Sequence, residues 1–396
     1  MILYCENCGD ALYFNPSKGK MECLSCGSLY DTEQSHTAET TDKLSSTWRE
    51  TSDTPQGESE TMECNIYTCT ACGAELAVNG VESSTFCAYC GQPTIVFSRV
   101  SLEVKPKYII PFSVTKEKAV TIIRQRLKKG IFVPKEIKNF DIERVRGIYI
   151  PFWLFDIYYA DKQYLRGTVG SGKSQRTKYY YREADCNFTN LTLDASRQLN
   201  DETSQRLEPY DTHALQSFDI GYLSGFYADR YDMSTEQLQS LAILRAEALF
   251  NQEVKHTINA KAIEILKNSP TYQIQNTEYA LFPAWFLTFR YQAQPYTILV
   301  NGQTGKIIGA VPYDKPQVTA CFIVIGCIAS VISSVYMYTV CIGADDNVGK
   351  FFGAVFILSV AMIFLGRHTF KKVKKSIALT RARETNTFVK NRQEGM

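Results

Sequence analysis

The sequence predicts a multidomain chain: two small β zinc ribbons, a central α+β domain with an internal repeat, and a C-terminal transmembrane helical hairpin. Three observations carry that reading. Four Cys-x2-Cys-Gly motifs fall in the first hundred residues, a stretch dense in Tyr, Phe and Ile runs from Pro106 to Pro316, and two long apolar runs lie near the C-terminus. A chain of 396 residues that is 45% hydrophobic can build several cores. The expected segments are ribbon 1 over 1–30, an acidic linker over 31–63, ribbon 2 over 64–100 and the central domain over 101–317. Two spans over 318–342 and 348–366 and a basic tail over 367–396 follow.

Each ribbon is built from two knuckles. The first set is Cys5, Cys8, Cys23 and Cys26, and the second is Cys69, Cys72, Cys87 and Cys90. Two residues between cysteines let both thiolates face one ion, and the glycine after each pair supplies the positive φ that turns the backbone round it. The spacing Cys-x2-Cys-x14-Cys-x2-Cys is the same in both sets, and every ligand recurs 64 positions later, as duplication would produce. Four soft thiolates in a closed tetrahedron suit Zn²⁺ and leave no position for water, so two structural zinc ions are expected. A rubredoxin-like iron site and unmetallated thiols are the alternatives. A ribbon of this size has no core without its ion, and metal binding then supplies folding free energy on the order of 10 kcal/mol. The remaining cysteines, Cys64, Cys186, Cys321, Cys327 and Cys341, lie outside the pattern and read as small hydrophobes.

Residues 31–63 contain only Leu44, Trp48 and Met62 as large apolar side chains, too few to fold alone, and read as a flexible linker. Within the central domain, Thr115 can cap one helix, and Ser234 with Gln237 forms a capping box ahead of a second that carries Leu238, Leu241, Ala242, Leu249 and Phe250. Each helix precedes an aromatic strand. Residues 147–156 and 279–288 superpose with a shift of 132, which brings Pro151 onto Pro283, Trp153 onto Trp285, Tyr159 onto Tyr291, Tyr164 onto Tyr296 and Gly170 onto Gly302. The approximate repeats are 107–174 and 226–310. The two tryptophans are expected in the core, with a ligand groove as the alternative.

Val318 to Ile342 holds no charged side chain over 25 residues, long enough to cross about 30 Å of hydrocarbon. A second run, 348–366, extends the pattern to a hairpin. Arg367, Lys371, Lys372, Lys374 and Lys375 follow it, whereas the turn has Asp345, Asp346 and Lys350. The positive-inside rule then predicts a two-span protein of the cell membrane with both termini cytoplasmic. Membrane lipid is the expected partner of 318–366 and of the basic tail. The residues after Met1 lack a basic region followed by an apolar run, so the cysteines are expected to meet reducing cytoplasm as metal ligands.

Gly167, Gly172, Lys173 and Ser174 satisfy the phosphate-loop pattern G-x4-G-K-[ST]. That loop works between a strand and a helix whose N-terminus faces the phosphates. Here the residues that follow, 175–182, are polar, aromatic and β-prone, and the repeat equates the loop with the Asn301-Gly302 turn. A glycine-rich hairpin turn is therefore expected, with no nucleotide cofactor and no ATPase. His36, His213, His256 and His368 are scattered and form no catalytic set.

The knuckles, the acidic linker, the segment 150–156, the segment Gly221 to Asp229 and the turn Asn301 to Lys306 together resemble a family of uncharacterised bacterial proteins labelled as carrying a transcription-factor-IIB-type zinc ribbon. Some members bear the name of the primosomal replication-restart helicase. The resemblance implies an architecture, and the sequence lacks a helicase motor. Charge distinguishes the function classes. Residues 1–100 carry 14 acidic and 5 basic side chains, and residues 367–396 carry 2 and 9. Phosphate recognition calls for a basic face, so the ribbons are expected to meet a cytoplasmic protein partner as a scaffold or sensor without catalysis. Nucleic-acid binding in transcription or replication restart is the alternative, and a nucleotide-dependent enzyme using 167–174 the second.

Overall fold

A computed structural model describes residues 3–32, 61–71, 73–78, 87, 89, 95–128, 130, 133–140, 144–196, 201–231, 233, 235–291, 294–309 and 311, with Asp314, Pro316 and Ala320 beyond. Ribbon 1 is a three-stranded antiparallel sheet of β1 (Leu12–Asn15), β2 (Lys20–Cys23) and β3 (Leu29–Tyr30). Leu12 pairs with Cys23 and Phe14 with Met21, and these four side chains share the buried face.

Ribbon 2 is not a separate module, which corrects its expected independence. Its strands β4 (Thr61–Cys69), β5 (Glu75–Val78) and β6 (Ile95–Val104) belong to a sheet of twelve strands with the central domain. That sheet continues with β7 (Tyr108–Ile109), β8 (Val145–Val169), β9 (Arg176–Asp194), β10 (Gln216–Ser217), β11 (Tyr227–Asp229), β12 (Lys261–Lys267), β13 (Thr271–Tyr291), β14 (Gln294–Asn301) and β15 (Ile307–Ile308). Its main path is β10-β7-β13-β8-β11-β5-β4-β6, with β9 and β12 on β8 and β14 and β15 beyond β13. Knuckle spacing dictates how a strand pair turns; it does not dictate the far edge of that pair, and here β5 is hydrogen-bonded to β11. The linker also stops short of its expected end, since β4 begins at Thr61.

The α+β expectation is corrected as well: the described residues are mostly β, with four α-helices, α1 (Lys116–Lys128), α2 (Lys135–Lys138), α3 (Asp201–Leu207) and α4 (Thr235–His256). None of them is long and apolar enough to cross a membrane. The expected transmembrane hairpin and two-span membrane location are thereby overturned as readings of the described fold; residues 318–342, 348–366 and 367–396 lie outside the described residues, apart from Ala320.

Alternation along β8 explains the layering. Val145, Tyr149, Phe155, Ile157, Tyr159 and Leu165 are buried on one face, and both α1 and α4 cover that face. Ile148, Ile150, Phe152 and Leu154 bury the other face with Phe282, Phe286 and Tyr210. α1 presents Ala119, Val120, Ile123 and Leu127, and the Thr115 hydroxyl accepts the Lys118 amide at 3.3 Å as its cap. α4 buries Leu238, Ala242, Ala246, Phe250 and Val254 at four-residue spacing. Leu249, expected on the apolar stripe, is instead exposed, and Ser234 of the expected capping box lies outside the described residues.

The repeat has a geometric counterpart. β8 and β13 pair antiparallel with Ile150 opposite Phe282, the two positions that the shift of 132 equates, so a local pseudo-two-fold axis passes through that pair. The correspondence ends after Tyr159 and Tyr291, because β13 stops at Tyr291 while β8 runs to Val169. Gly170 therefore lies in the β8–β9 turn and Gly302 in the β14–β15 turn. Trp285 is buried and donates its indole N–H to the Val114 carbonyl at 2.8 Å; Trp153 is partly buried against Tyr231 and Tyr279.

Candidate metal centre

Ribbon 1 brings its four cysteines together. The sulfurs of Cys5, Cys8, Cys23 and Cys26 all lie within 4.8 Å of one another, a set able to hold a metal ion. Two close separations cross between knuckles, Cys5 Sγ to Cys26 Sγ and Cys8 Sγ to Cys23 Sγ, each 3.4 Å. A tetrahedral Zn–S distance of about 2.3 Å requires S···S edges near 3.8 Å, so the donor set fits such an ion without rearrangement of the backbone. Cys5 and Cys23 are buried, whereas Cys8 and Cys26 are exposed.

Backbone hydrogen bonds make the knuckles. The Cys5 amide donates to the Asp10 carbonyl at 2.7 Å and the Gly9 amide to the Cys5 carbonyl at 2.8 Å. The pair recurs as Cys23 to Ser28 and Gly27 to Cys23, each 2.9 Å, and again as Cys69 to Ala74 at 2.9 Å and Gly73 to Cys69 at 2.7 Å. Gly9, Gly27 and Gly73 have φ of 74°, 75° and 72°, a region costly for any side chain.

The surroundings favour ionised sulfur unevenly. A hydrogen bond with the Tyr30 hydroxyl at 3.4 Å, joined by the amides of Cys8 and Asn7, lowers the Cys5 thiol to about 6. The Ser28 hydroxyl and amide lower Cys26, with Oγ at 3.1 Å from the sulfur. The Asp10 amide acts to lower Cys8, but the neighbouring Cys23, burial, Cys26 and Cys5 outweigh it and push Cys8 up to about 12. Sulfurs this close cannot all be anionic alone; a bound dication removes the conflict and lets all four ligate as thiolates.

The supporting residues were not singled out in the sequence. Asp10 holds the Ser25 hydroxyl and accepts the Ala11 amide at 2.8 Å, and Asn7 donates to Ser28 Oγ at 2.7 Å, which ties one knuckle to the other. A signal existed: Asp10 and Ser28 stand two positions after Cys8 and Cys26, each just past the knuckle glycine.

In the second set, Cys69 and Cys87 are described and buried in one cluster with Ala74, Leu76 and Tyr89; Cys72 and Cys90 lie outside the described residues. Beside them is a polar node that sequence reading missed. Asp229 is 3% exposed and accepts hydrogen bonds from the Tyr89 hydroxyl at 2.7 Å and from Ser196 Oγ. Arg230 pairs with Glu75 and Glu103, each at 2.8 Å. No local motif marks these residues, since they meet only when β11 pairs with β5.

The phosphate-loop residues do not form a cradle. Gly167 is inside β8, paired with Lys178, and the chain reverses through Gly170, at φ 91°, and a single 3-10 turn over Gly172–Ser174 into β9. A strand, not a helix, follows Ser174. His213 and His256 are both exposed; His36 and His368 lie outside the described residues.

No family model and no solved structure matches the chain, so the zinc-ribbon family resemblance and the primosomal name gain no support from either comparison. The chain is similar to the uncharacterized protein YdjG of Bacillus subtilis (strain 168), 27% identical over 329 residues that span 80% of this chain and 92% of that protein. The printed name of that protein assigns it no activity.

Proposed function

We propose that the chain is a zinc-dependent binding scaffold, with one structural Zn²⁺ held by Cys5, Cys8, Cys23 and Cys26 and a second by Cys69, Cys72, Cys87 and Cys90. The observation that supports it most is the convergence of four sulfurs within 4.8 Å in ribbon 1. Four thiolates close the coordination sphere, so the ion shapes a surface and does not activate a substrate.

A protein partner is favoured by what the ribbon leaves uncovered. Tyr4, Leu24 and Leu29 are 51%, 73% and 45% exposed, while Leu3, Leu12, Phe14 and Met21 are buried. Its two lysines are already engaged, Lys18 with Glu22 at 2.6 Å and Lys20 with Asp31 at 3.0 Å, which leaves little for a phosphate backbone.

Elemental analysis of the purified protein tests the metal: two zinc ions per chain are expected, and one after Cys8→Ser with Cys26→Ser. In-cell crosslinking tests the partner. A protein crosslinked to the parent and lost from the double variant supports the scaffold reading, whereas a salt-sensitive gel shift with nucleic acid by the full chain overturns it.

A further inference from the structure

At one end of the large sheet, the far half of β8 is flanked by β9 on one side and β12 on the other. The two edges of this three-stranded arm differ. β12 is seven residues long, slips register twice against β8 and holds Ala262 at φ 49°, so it offers no regular ladder to an incoming strand. β9 pairs residue for residue with β8 from Arg176 to Phe188. A bulge at Thr189 and Asn190 ends that run, where Asn190 has φ 52° and its amide donates to Asp156 at 2.8 Å. Among the described residues no second strand joins β9, and no proline interrupts 176–188. The outer backbone groups of the run are therefore a template for one more strand.

Alternation along this edge separates two kinds of side chain. Tyr180, Cys186 and Phe188 pack against the cluster under α4, together with Ala260 and Ile263, and Arg176, Lys178 and Arg182 share their face. The opposite face carries Thr177, Tyr179, Tyr181, Glu183 and Asp185. Tyr179 is 73% exposed, and Tyr181 packs on the exposed Tyr164 of β8 with ring centroids 5.0 Å apart. Glu183 is already met by Lys162 and by the Tyr181 hydroxyl, each at 2.7 Å. The three bases have no acidic partner among the described residues; Arg182 donates to neutral acceptors, Thr257 Oγ1 at 3.1 Å and the Tyr181 carbonyl at 2.9 Å.

We infer that the outer edge of β9, from Arg176 to Phe188, receives an extended segment of a partner protein whose acidic residues face Arg176, Lys178 and Arg182 and whose alternate residues are apolar and lie against Tyr179 and Tyr181. Backbone hydrogen bonds supply the ladder, and side chains at every second position supply the selectivity. Opposite charges set directly across two strands attract, and like charges repel. A second copy of the chain does not fit. Residues opposed in a two-fold antiparallel pair lie on one face of the sheet, so the three bases would meet one another or neutral residues, never Glu183 or Asp185. A nucleic-acid strand would leave the backbone ladder unused. The inference goes beyond the ribbon scaffold and uses none of the eight knuckle cysteines, so it is independent of the zinc reading.

The test uses the full chain and two synthetic peptides of about eight residues, one alternating Glu and Val and one with the same residues in two blocks. Fluorescence anisotropy is expected to show binding of the alternating peptide that weakens with added salt, and amide hydrogen exchange across 176–188 is expected to slow as it binds. Lys178→Glu, at an exposed position, is expected to weaken that binding on the order of tenfold. Equal binding of the two peptides overturns strand addition, because charge alone would then account for it. No binding at millimolar peptide overturns it as well. Slow exchange across 176–188 in the free chain, or a dimer in sedimentation equilibrium that Lys178→Glu dissociates, overturns it by showing the edge already occupied. A single-stranded oligonucleotide that binds more tightly than the alternating peptide and protects the same amides overturns it in favour of nucleic acid.

Discussion

The Phe14 amide in ribbon 1 donates to the carbonyl of Ser224, more than 200 residues later, at 3.2 Å. This bond, with the Phe14–Tyr222 ring contact, attaches the first cysteine cluster to the large sheet. Ribbon 1 is therefore part of the body of the protein and not a tethered finger, so an ion held by its four cysteines would bear on the stability of the whole chain.

Chelation is expected to lower the thermal midpoint of the full protein and to increase exchange across 3–30 first. A structural zinc site of this kind contributes on the order of 10 kcal/mol. Differential scanning calorimetry with and without a zinc chelator checks it; an unchanged midpoint refutes a structural ion.

Gly302 has no room for a side chain: a Cβ there would meet Phe112 and Pro283 at 2.7 Å. Gly302→Ala is expected to destabilise by about 1–3 kcal/mol, the usual cost of overpacking a core. Urea denaturation reads the difference, and a variant within a few tenths of the parent contradicts the close approach.

Arg230 bridges Glu75 and Glu103, and its side chain is 33% exposed. Arg230→Met removes the charge and leaves two partly buried carboxylates facing one another. Partial solvation reduces the penalty, and about 1–2 kcal/mol is expected, less than the cost of breaking a fully buried pair. Restoring the loss with Glu75→Gln in the same chain distinguishes charge from packing.

Lys107 donates to Glu278 at 2.5 Å, and this hydrogen bond raises the lysine above its usual 10.5. A raised folded value means that the pair stabilises fully below the unfolded value and ceases to do so as pH rises through the folded one. Lys107 is 55% exposed, so the contribution is a few tenths of a kcal/mol. Lys107→Met is expected to be slightly less stable than the parent at pH 8, with the gap closing as pH rises past the lysine's raised folded value.

Because a hairpin turn occupies 170–175, the parent is expected to show no ATP binding in equilibrium dialysis, and Lys173→Ala is expected to change nothing. Millimolar or tighter binding that the substitution removes would restore the phosphate-loop reading.

The cluster of Cys5, Cys8, Cys23 and Cys26 was legible because its grammar is local. Two cysteines three positions apart and a glycine with φ near 75° fix a knuckle from five consecutive residues. The hairpin at Gly170 was legible for the same reason, as was the Thr115 cap. The support given by Tyr30 to Cys5 and by Ser28 to Cys26 was not singled out, since hydroxyls near cysteine have no distinctive pattern of their own. Where ribbon 2 ends was also out of reach. Ala77 and Leu76 look the same whether they edge a free ribbon or pair with Ala228 and Asp229, and that choice is made by residues some 150 positions away. Knuckles, caps and the alternation along β8 come from the chain itself, because each depends on neighbours in sequence. The single large sheet, the docking of Phe14 and Met21 on the turn at 220–224 and the Asp229–Tyr89 contact depend on long-range pairing, which only burial in the tertiary structure decides.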